Sequence, residues 1–509
     1  MKKIYMLFSL LLTVCVSCNE DFLECPPLDA PASETFYSSY DNAILAVNGV
    51  YNGLHNMNYL HEWEDVLTDN ERWYADGGTN LYGGIAHGVE TPTGNNPYMN
   101  RVWYRNYVLI QRANSAIEQI EQMDFDEETK NKLIAQCRFL RGFGYHYLIW
   151  RFGDVPLLLL PVAEQPLFPF RAPKADVVAQ IYSDFEFAGE HLPNVWTGSD
   201  LGRVTKGGAL GFLAREYLWN KEYEKAADAA KMVMDISDYG LLDNYMDLWE
   251  PGNNNTKEGL FEVQYWTAEG EFQSTLYYRW IKGEAANTGA RGNAWSMALQ
   301  DLVNAFENSD GTPFDPAGRD LATDNTQYEN RDPRLKYTVF VDGMDYFGQP
   351  YKRSWSPTTY TWRKYTIAKD DPLLINNRNA PFNWIVLRYA EVLLIYAEAK
   401  NETDGAVADV YDAVNQVRNR VGMPDLPSGL TKDEMRERIY NERRVELASE
   451  GTRLEDLNRW RRLKQALENK HLNHGVNYQI TNWEEFRYLW PIQQQEMDTN
   501  PNLVQNPGY

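Results

Sequence analysis

Residues Gly208 to Met234 read "GALGFLAREYLWNKEYEKAADAAKMVM", and their apolar positions recur at the period of two short helices. Leu213, Ala214, Tyr217 and Ala226 fall at the spacing of a tetratricopeptide-type hairpin, and the small Ala side chains let the two arms approach closely. Upstream, Met99 to Gln122 and Lys130 to Phe152 form a second such pair, with "DFDEET" as the turn and Asp126 as an N-cap. Downstream, Trp384 to Asn401 pairs with Ala406 to Val421, and Lys432 to Ser449 with Leu454 to Leu467. Four hairpins predict a mainly α protein, a right-handed tetratricopeptide-like array of four helix pairs, interrupted by long irregular insertions with short strands that form a ligand face. Such repeats can cradle peptides, but stacked surface is what they supply first, so the array reads as scaffold. The expected division is 1–17 leader, 18–35 tether, 36–264 first scaffold part with a ligand loop near 61–97, 265–380 ligand-face insertion, and 381–509 second scaffold part with a C-terminal tail.

The leader reading rests on the amino terminus. Lys2 and Lys3 precede thirteen mostly apolar residues, Ile4 to Val16, too few for a membrane span of about 20 residues but right for a secretory signal peptide. Ser17 then precedes Cys18 in "VCVSCNEDF", as in bacterial lipoprotein signals, so Cys18 is expected to become the acylated first residue of the mature chain; plain secretion is the alternative. One acyl chain holds a bilayer only marginally, so durable anchoring needs the several chains of a lipoprotein.

Composition limits the partners. Loss of Lys2 and Lys3 takes the formal charge from −23 to −25, which repels phosphate backbones and argues against nucleic acid. Aromatic residues make up 14% of the chain, with 16 Trp and 33 Tyr. Many belong to the core, but flat apolar faces with polar edges also suit sugars. Of the four cysteines, Cys25 and Cys137 remain as free thiols in the mature chain, and Cys137 inside "IAQCRFLRG" reads as a small core residue.

Aromatics outside helical periodicity gather in two insertions. "DNERWYADGGTNLYGG", Asp69 to Gly84, lies in the first, and "LYYRWIKGEAANTGARGNAW" and "KRSWSPTTYTWRKY" lie between Tyr265 and Tyr365. Loops this long in a folded protein are functional or disordered, and dense aromatics argue against disorder. Trp73, Tyr82, Trp280, Trp295 and Trp355 are the candidate stacking platforms, with Asp69, Asn70, Arg291 and Asn293 as hydroxyl partners.

A catalytic reading finds little support. Glycoside hydrolysis asks for two facing carboxylates, which the sequence does not single out among 72 acidic residues. "HEWED" at His61 lacks the second His of a zinc-protease helix, no G-x-S-x-G elbow or phosphate-binding loop occurs, His471 and His474 read as an exposed turn, and Asp310 and Asp315 in "NSDGTPFD" lack EF-hand spacing. No catalytic residue, metal or cofactor is expected. Glu442, Glu446 and Glu450 stand four apart with Arg443 and Arg444 interleaved, a pattern for ion-pair networks.

Several stretches together resemble the SusD/RagB family of Bacteroidetes outer-membrane nutrient-binding lipoproteins: "CRFLRGFGYHYLIWRFGDVPL" from Cys137, "LVNAFENSDG" from Leu302, "RDPRLKY" from Arg331, "RYAEVLLIYAEAKNE" from Arg388, "AVNQVRNRVGMP" from Ala413, "NERRVELASEGTRLEDLNRW" from Asn441 and "LWPIQQQEMDTNPNLVQNPGY" from Leu489. The acidic residues after Cys18 are similar to the surface-export signal of such lipoproteins. The resemblance implies four tetratricopeptide-like helical pairs, a site on the cell exterior, and a SusC-like TonB-dependent transporter over whose barrel the lipoprotein sits as a hinged lid, delivering an oligosaccharide or, in some members, a peptide without breaking a bond. A surface glycan-degrading enzyme is the alternative.

Overall fold

The computed structural model describes residues 39–55, 61–73, 85, 90–265, 296–368, 382–468 and 483–509. The leader, Cys18 and the tether lie outside them. The chain is mainly helical with a few short strands. The long helices are α1 (Tyr40–His55), α2 (Pro97–Glu121), α3 (Glu127–Phe152), α4 (Lys174–His191), α5 (Lys206–Trp219), α6 (Tyr223–Met234), α7 (Tyr389–Asp404), α8 (Ala408–Arg420) and α9 (Lys432–Glu446). Each from α1 to α7 packs on the next, and α7 also packs on α8 and α9. The stack passes from α6 to α7 directly, so the insertion between them stands outside it.

Local chemistry sets the starts. Asn96 accepts hydrogen bonds from the amides of Tyr98 and Met99, with Pro97 in the first helical position of α2. Asp126 accepts from the Thr129 amide at α3, Thr205 from the Gly208 amide at α5, and Thr431 with Glu434 forms a capping box on α9.

Three features depart from the expected pairs. Helix α4 fits between α3 and α5, although its buried Val177, Ile181, Phe185 and Ala188 already mark one helical face in the sequence. The run expected as helix from Trp384 begins as strand β8 (Trp384–Arg388), because Ile385 and Val386 are β-branched and the segment pairs antiparallel with β2 (Gly259–Val263), Val263 opposite Trp384 and Gly259 opposite Arg388. The last arm is split into α10 (Arg453–Arg459) and a turn of helix at Leu463–Glu468, with Arg461 at φ +58° between them. The stacked pairs are consistent with the tetratricopeptide-like array.

The core centres on α3. Phe139 lies edge-on to Phe261 and Phe212, at ring separations of 4.9 and 5.3 Å, and packs against Phe185 of α4. Helix α3 retains two glycines despite their cost of about 1 kcal/mol in a helix interior. A Cβ on Gly142 would stand 2.8 Å from Phe185, and one on Gly144 would stand 3.0 Å from Ile110 of α2, so both are required by close helix approach. Cys137 is fully buried and its thiol is pushed up to about 12 by burial. In a Cys25→Ala protein starting at Asn19, Cys137 is therefore expected to resist maleimide at pH 8 until denaturant is added, as mass spectrometry would read directly.

The expected acidic stripe is a buried lattice, but its partners come from elsewhere than the interleaved arginines. Glu442 meets Arg334 and Arg418; Glu446 meets Arg334, Arg388 and Arg420; Glu450 meets Arg388 and Lys364. Arg443 instead bonds Asp456 at 2.9 Å, and Arg444 reaches Asp69. Side chains three and four apart on a helix share a face, so these carboxylates point together at a neighbouring element and not at their own helix's cations. Among the described residues no helix is long and apolar enough to cross a membrane.

Candidate functional site

Two short strands bring the aromatic-rich insertions to one place. β1 (Glu71–Trp73) pairs antiparallel with β3 (Ser296–Ala298), and Trp73 is the register partner of Ser296. A strand of one insertion is thus joined to a strand of the other, with Trp73 and Ser296 as one rung. The Ser296 hydroxyl donates to the Glu71 carboxylate at 2.5 Å and accepts from the Trp362 indole N–H at 3.0 Å. Trp362 belongs to β7 (Thr361–Trp362), which packs beside β3 and pairs with β4 (Val339–Phe340).

From β4 the chain enters a hairpin of β5 (Asp345–Tyr346) and β6 (Gln349–Pro350). Its two turn residues, Phe347 and Gly348, sit at φ +49° and +90°, the left-handed pair that a two-residue hairpin turn requires. Phe340, Tyr346, Phe347, Tyr351 and Trp355 gather into an aromatic plate. Tyr346 and Tyr351 meet the Trp355 ring edge-on at 5.8 and 5.5 Å, which fixes its orientation while Trp355 stays half-exposed. Beside it runs a polar rim. Asp342 accepts from the Arg353 amide at 2.8 Å, the Arg353 guanidinium at 3.2 Å and the Asn325 amide group at 3.0 Å. Burial would raise the Asp342 carboxyl, but these donors hold it below the ordinary carboxylate range. A fixed ring beside ionised and amide groups is the chemistry that binds a polyhydroxylated ring.

The other sequence candidates divide. Asp69 is 6% exposed; Arg453 grips both its oxygens at 3.0 Å and Arg444 adds a contact at 2.9 Å. Burial would raise its carboxyl, but the two guanidinium groups hold it well below the usual range. Asn70 is buried and its carbonyl accepts from Arg444 at 2.8 Å. Both therefore fasten the first insertion to α9 and α10. Trp73, at 6% exposure, is part of the main core. A stacking role for Trp73 would need the surrounding residues to open. Tyr82, Trp280, Arg291, Asn293 and Trp295 lie outside the described residues. Phe340, Tyr346, Tyr351 and Asp342 are not among the sequence candidates, and the signal that could have found them is the run of five aromatics between Phe340 and Trp355. Among the described residues no cluster of metal-ligating side chains occurs.

Comparison with known proteins agrees with this architecture. A model described as the SusD family matches residues 257–509, and one described as starch-binding, associating with outer membrane, matches residues 33–218. SusD-like protein P2 of Formosa agariphila is 28% identical over 536 residues, covering 100% of both chains. A SusD-like protein of Bacteroides ovatus is 27% identical over 508 residues, covering 92% of this chain and 83% of its own. The crystal structure of a SusD-like carbohydrate binding protein from Bacteroides fragilis, 27% identical, superposes with a TM-score of 0.82 over 92% of this chain and 100% of that one. With family models on both halves, relatives aligned along its whole length and the same fold in solved members, the chain belongs to the SusD/RagB family of Bacteroidetes.

Proposed function

We propose that this protein is a non-catalytic glycan-binding lipoprotein of the outer membrane. Anchored through Cys18 and facing the cell exterior, it captures an oligosaccharide or polysaccharide and serves as the lid of a SusC-like TonB-dependent transporter. The observation that carries the reading is the Trp73–Ser296 rung, which joins the two aromatic-rich insertions beside β7, the strand that follows the Trp355 plate. The carbohydrate-binding relative of known structure and the outer-membrane association in the family description support it. In this reading Trp355 is one platform, and Tyr82, Trp280 and Trp295, with Arg291 and Asn293, complete the proposed face.

The test is calorimetric titration of Asn19 to Tyr509 against plant, host and microbial polysaccharides and their oligomers, with each mixture assayed for new reducing ends. Heat from one glycan class without new ends is the expected result. New reducing ends would replace this reading with a glycan-degrading enzyme, and silence across the panel would put peptides in place of glycans. Trp355→Ala is expected to weaken the bound glycan roughly tenfold, the worth of one aromatic platform, while circular dichroism stays unchanged; equal affinity would remove Trp355 from the site.

A further inference from the structure

On a surface that shares no residue with the aromatic plate, the end of α3, the start of α4 and the C-terminal tail enclose a groove of about 790 Å³, within the range of small-ligand sites. Its cations are unusual for a chain of net charge −23. Lys174 places its ammonium 3.5 Å from the centre of the Trp150 ring, and Arg461 lays its guanidinium 4.4 Å above Tyr488. Neither side chain forms an ion pair or hydrogen bond with any described residue. Arg171, in the same wall, donates only to neutral acceptors, among them the carbonyls of Asp154 at 2.8 Å and Phe152 at 3.1 Å and the Asn506 side chain at 2.5 Å. Two carboxylates, Asp154 and Glu485, face these three cations, and Asp154 is partly occupied in accepting from the Lys174 backbone amide at 2.8 Å.

Arg461 sits at φ +58° in the left-handed turn that ends α10, where the Arg462 amide donates to the Leu457 carbonyl at 2.8 Å, so the helix end itself sets its position on the groove wall. One further observation points to a ligand. Asn458 lines the groove, and its side-chain amide oxygen Oδ1 is buried with no hydrogen-bond partner among the described residues, an acceptor for a hydroxyl. The rim carries Phe170 and Val504, 72% and 70% exposed, apolar faces suited to the C–H side of a sugar ring. The Phe170 segment is held in place by Asn500, which donates to the Pro169 carbonyl at 2.8 Å, and by Asn502, which donates to that of Phe168 at 2.6 Å.

We propose that this groove is a second binding site, for the anionic group of an acidic oligosaccharide, a uronate carboxylate or a sulfate ester, held between the Lys174 ammonium and the Arg461 guanidinium while Asn458 accepts a sugar hydroxyl. The choice of sugar as carrier rests on the glycan-binding reading; the anion site does not. Burial pushes the Lys174 amine down to about 8, with Arg461 adding to the effect and Glu216 of α5 and Asp154 opposing it. Its charge is therefore present below pH 8 and lost above, so anion affinity falls as pH rises through that value.

The test titrates the Asn19 to Tyr509 protein with trigalacturonate, a sulfated carrageenan tetrasaccharide, neutral maltotriose and inorganic sulfate. At least one anionic oligosaccharide is expected to bind tenfold or more tightly than sulfate, and the one that binds identifies the anion. Lys174→Met with Arg461→Met should cost tenfold or more, Lys174→Arg should retain binding and remove its decline between pH 7 and 9.5, and Trp355→Ala should leave it unchanged. The proposal is overturned if neither anionic oligosaccharide binds, if the double Met variant binds as tightly as the unmodified protein, if inorganic sulfate matches the oligosaccharides, or if Trp355→Ala is the change that abolishes binding. Loss of neutral-glycan binding at the aromatic plate alone would fault the other reading and leave this one standing.

Discussion

Arg388→Met is expected to lower the free energy of unfolding by about 3–5 kcal/mol, the usual consequence of removing one partner from a buried ion lattice. Arg388 is 1% exposed and donates to Glu450 at 2.7 and 2.9 Å, to Glu446 at 2.7 Å, to Glu258 at 2.9 Å and to the Glu446 carbonyl at 2.8 Å. Without it three carboxylates stay buried with Arg420, Arg334 and Lys364 as their remaining cations. The lattice also sets a pH dependence. Burial would raise the Glu446 carboxyl, but Arg420, Arg388 and Arg334 hold it well below its ordinary value of 4.5, and Glu450 is lowered by Arg388 and Lys364. A carboxylate depressed in the folded state binds protons more readily when unfolded, so its stabilisation is complete above about pH 4.5 and is lost as pH falls below. Urea titrations followed by tryptophan fluorescence from pH 3.5 to 7 should show this slope in the unmodified protein and a shallower one in the variant. A loss under about 1 kcal/mol at pH 7 would mean that water replaces the guanidinium.

Phe139→Ala should cost a similar amount, about 3–5 kcal/mol, through a different mechanism. The ring is fully buried and touches aromatic neighbours from α3, α4, α5 and β2 at once, so no single element can move in to fill the space. Phe139→Leu, which keeps most of the volume, should retain most of the stability. The same urea titration decides it, and equal losses for Ala and Leu would show that the site relaxes freely.

Helix pairs are legible in the sequence where apolar residues recur at helical spacing and a polar cap marks the start, as at Asp126. Trp384 to Arg388 misled because its four-residue apolar run, Trp384 to Leu387, does not reveal its period, and only the distant partner at Gly259–Val263 makes it a strand. The scaffold contacts of Asp69 and Asn70 were not legible for a related reason. Polar residues in a Gly-rich loop suit a ligand, yet their cations, Arg444 and Arg453, stand far along the chain and belong to the scaffold. The Phe340 to Trp355 plate was half legible: Trp355 was picked out by composition, while its supporting rings needed the hairpin geometry to be recognised as a group.

The β2–β8 ladder has a consequence for how such a protein can diversify. Both ends of the long insertion are fixed on neighbouring strands, at Val263 and Trp384, so the stack passes from α6 to α7 whatever the length between them, while Arg334 and Lys364 tie the insertion back to Glu442, Glu446 and Glu450. The entropy of closing a loop grows only with the logarithm of its length, and doubling it costs about 0.6 kcal/mol. Segments of the ligand face that leave Arg334 and Lys364 in place can be lengthened, shortened or exchanged at little thermodynamic penalty to the scaffold. The ladder acts as a socket into which evolution, or an engineer, can fit a new recognition surface.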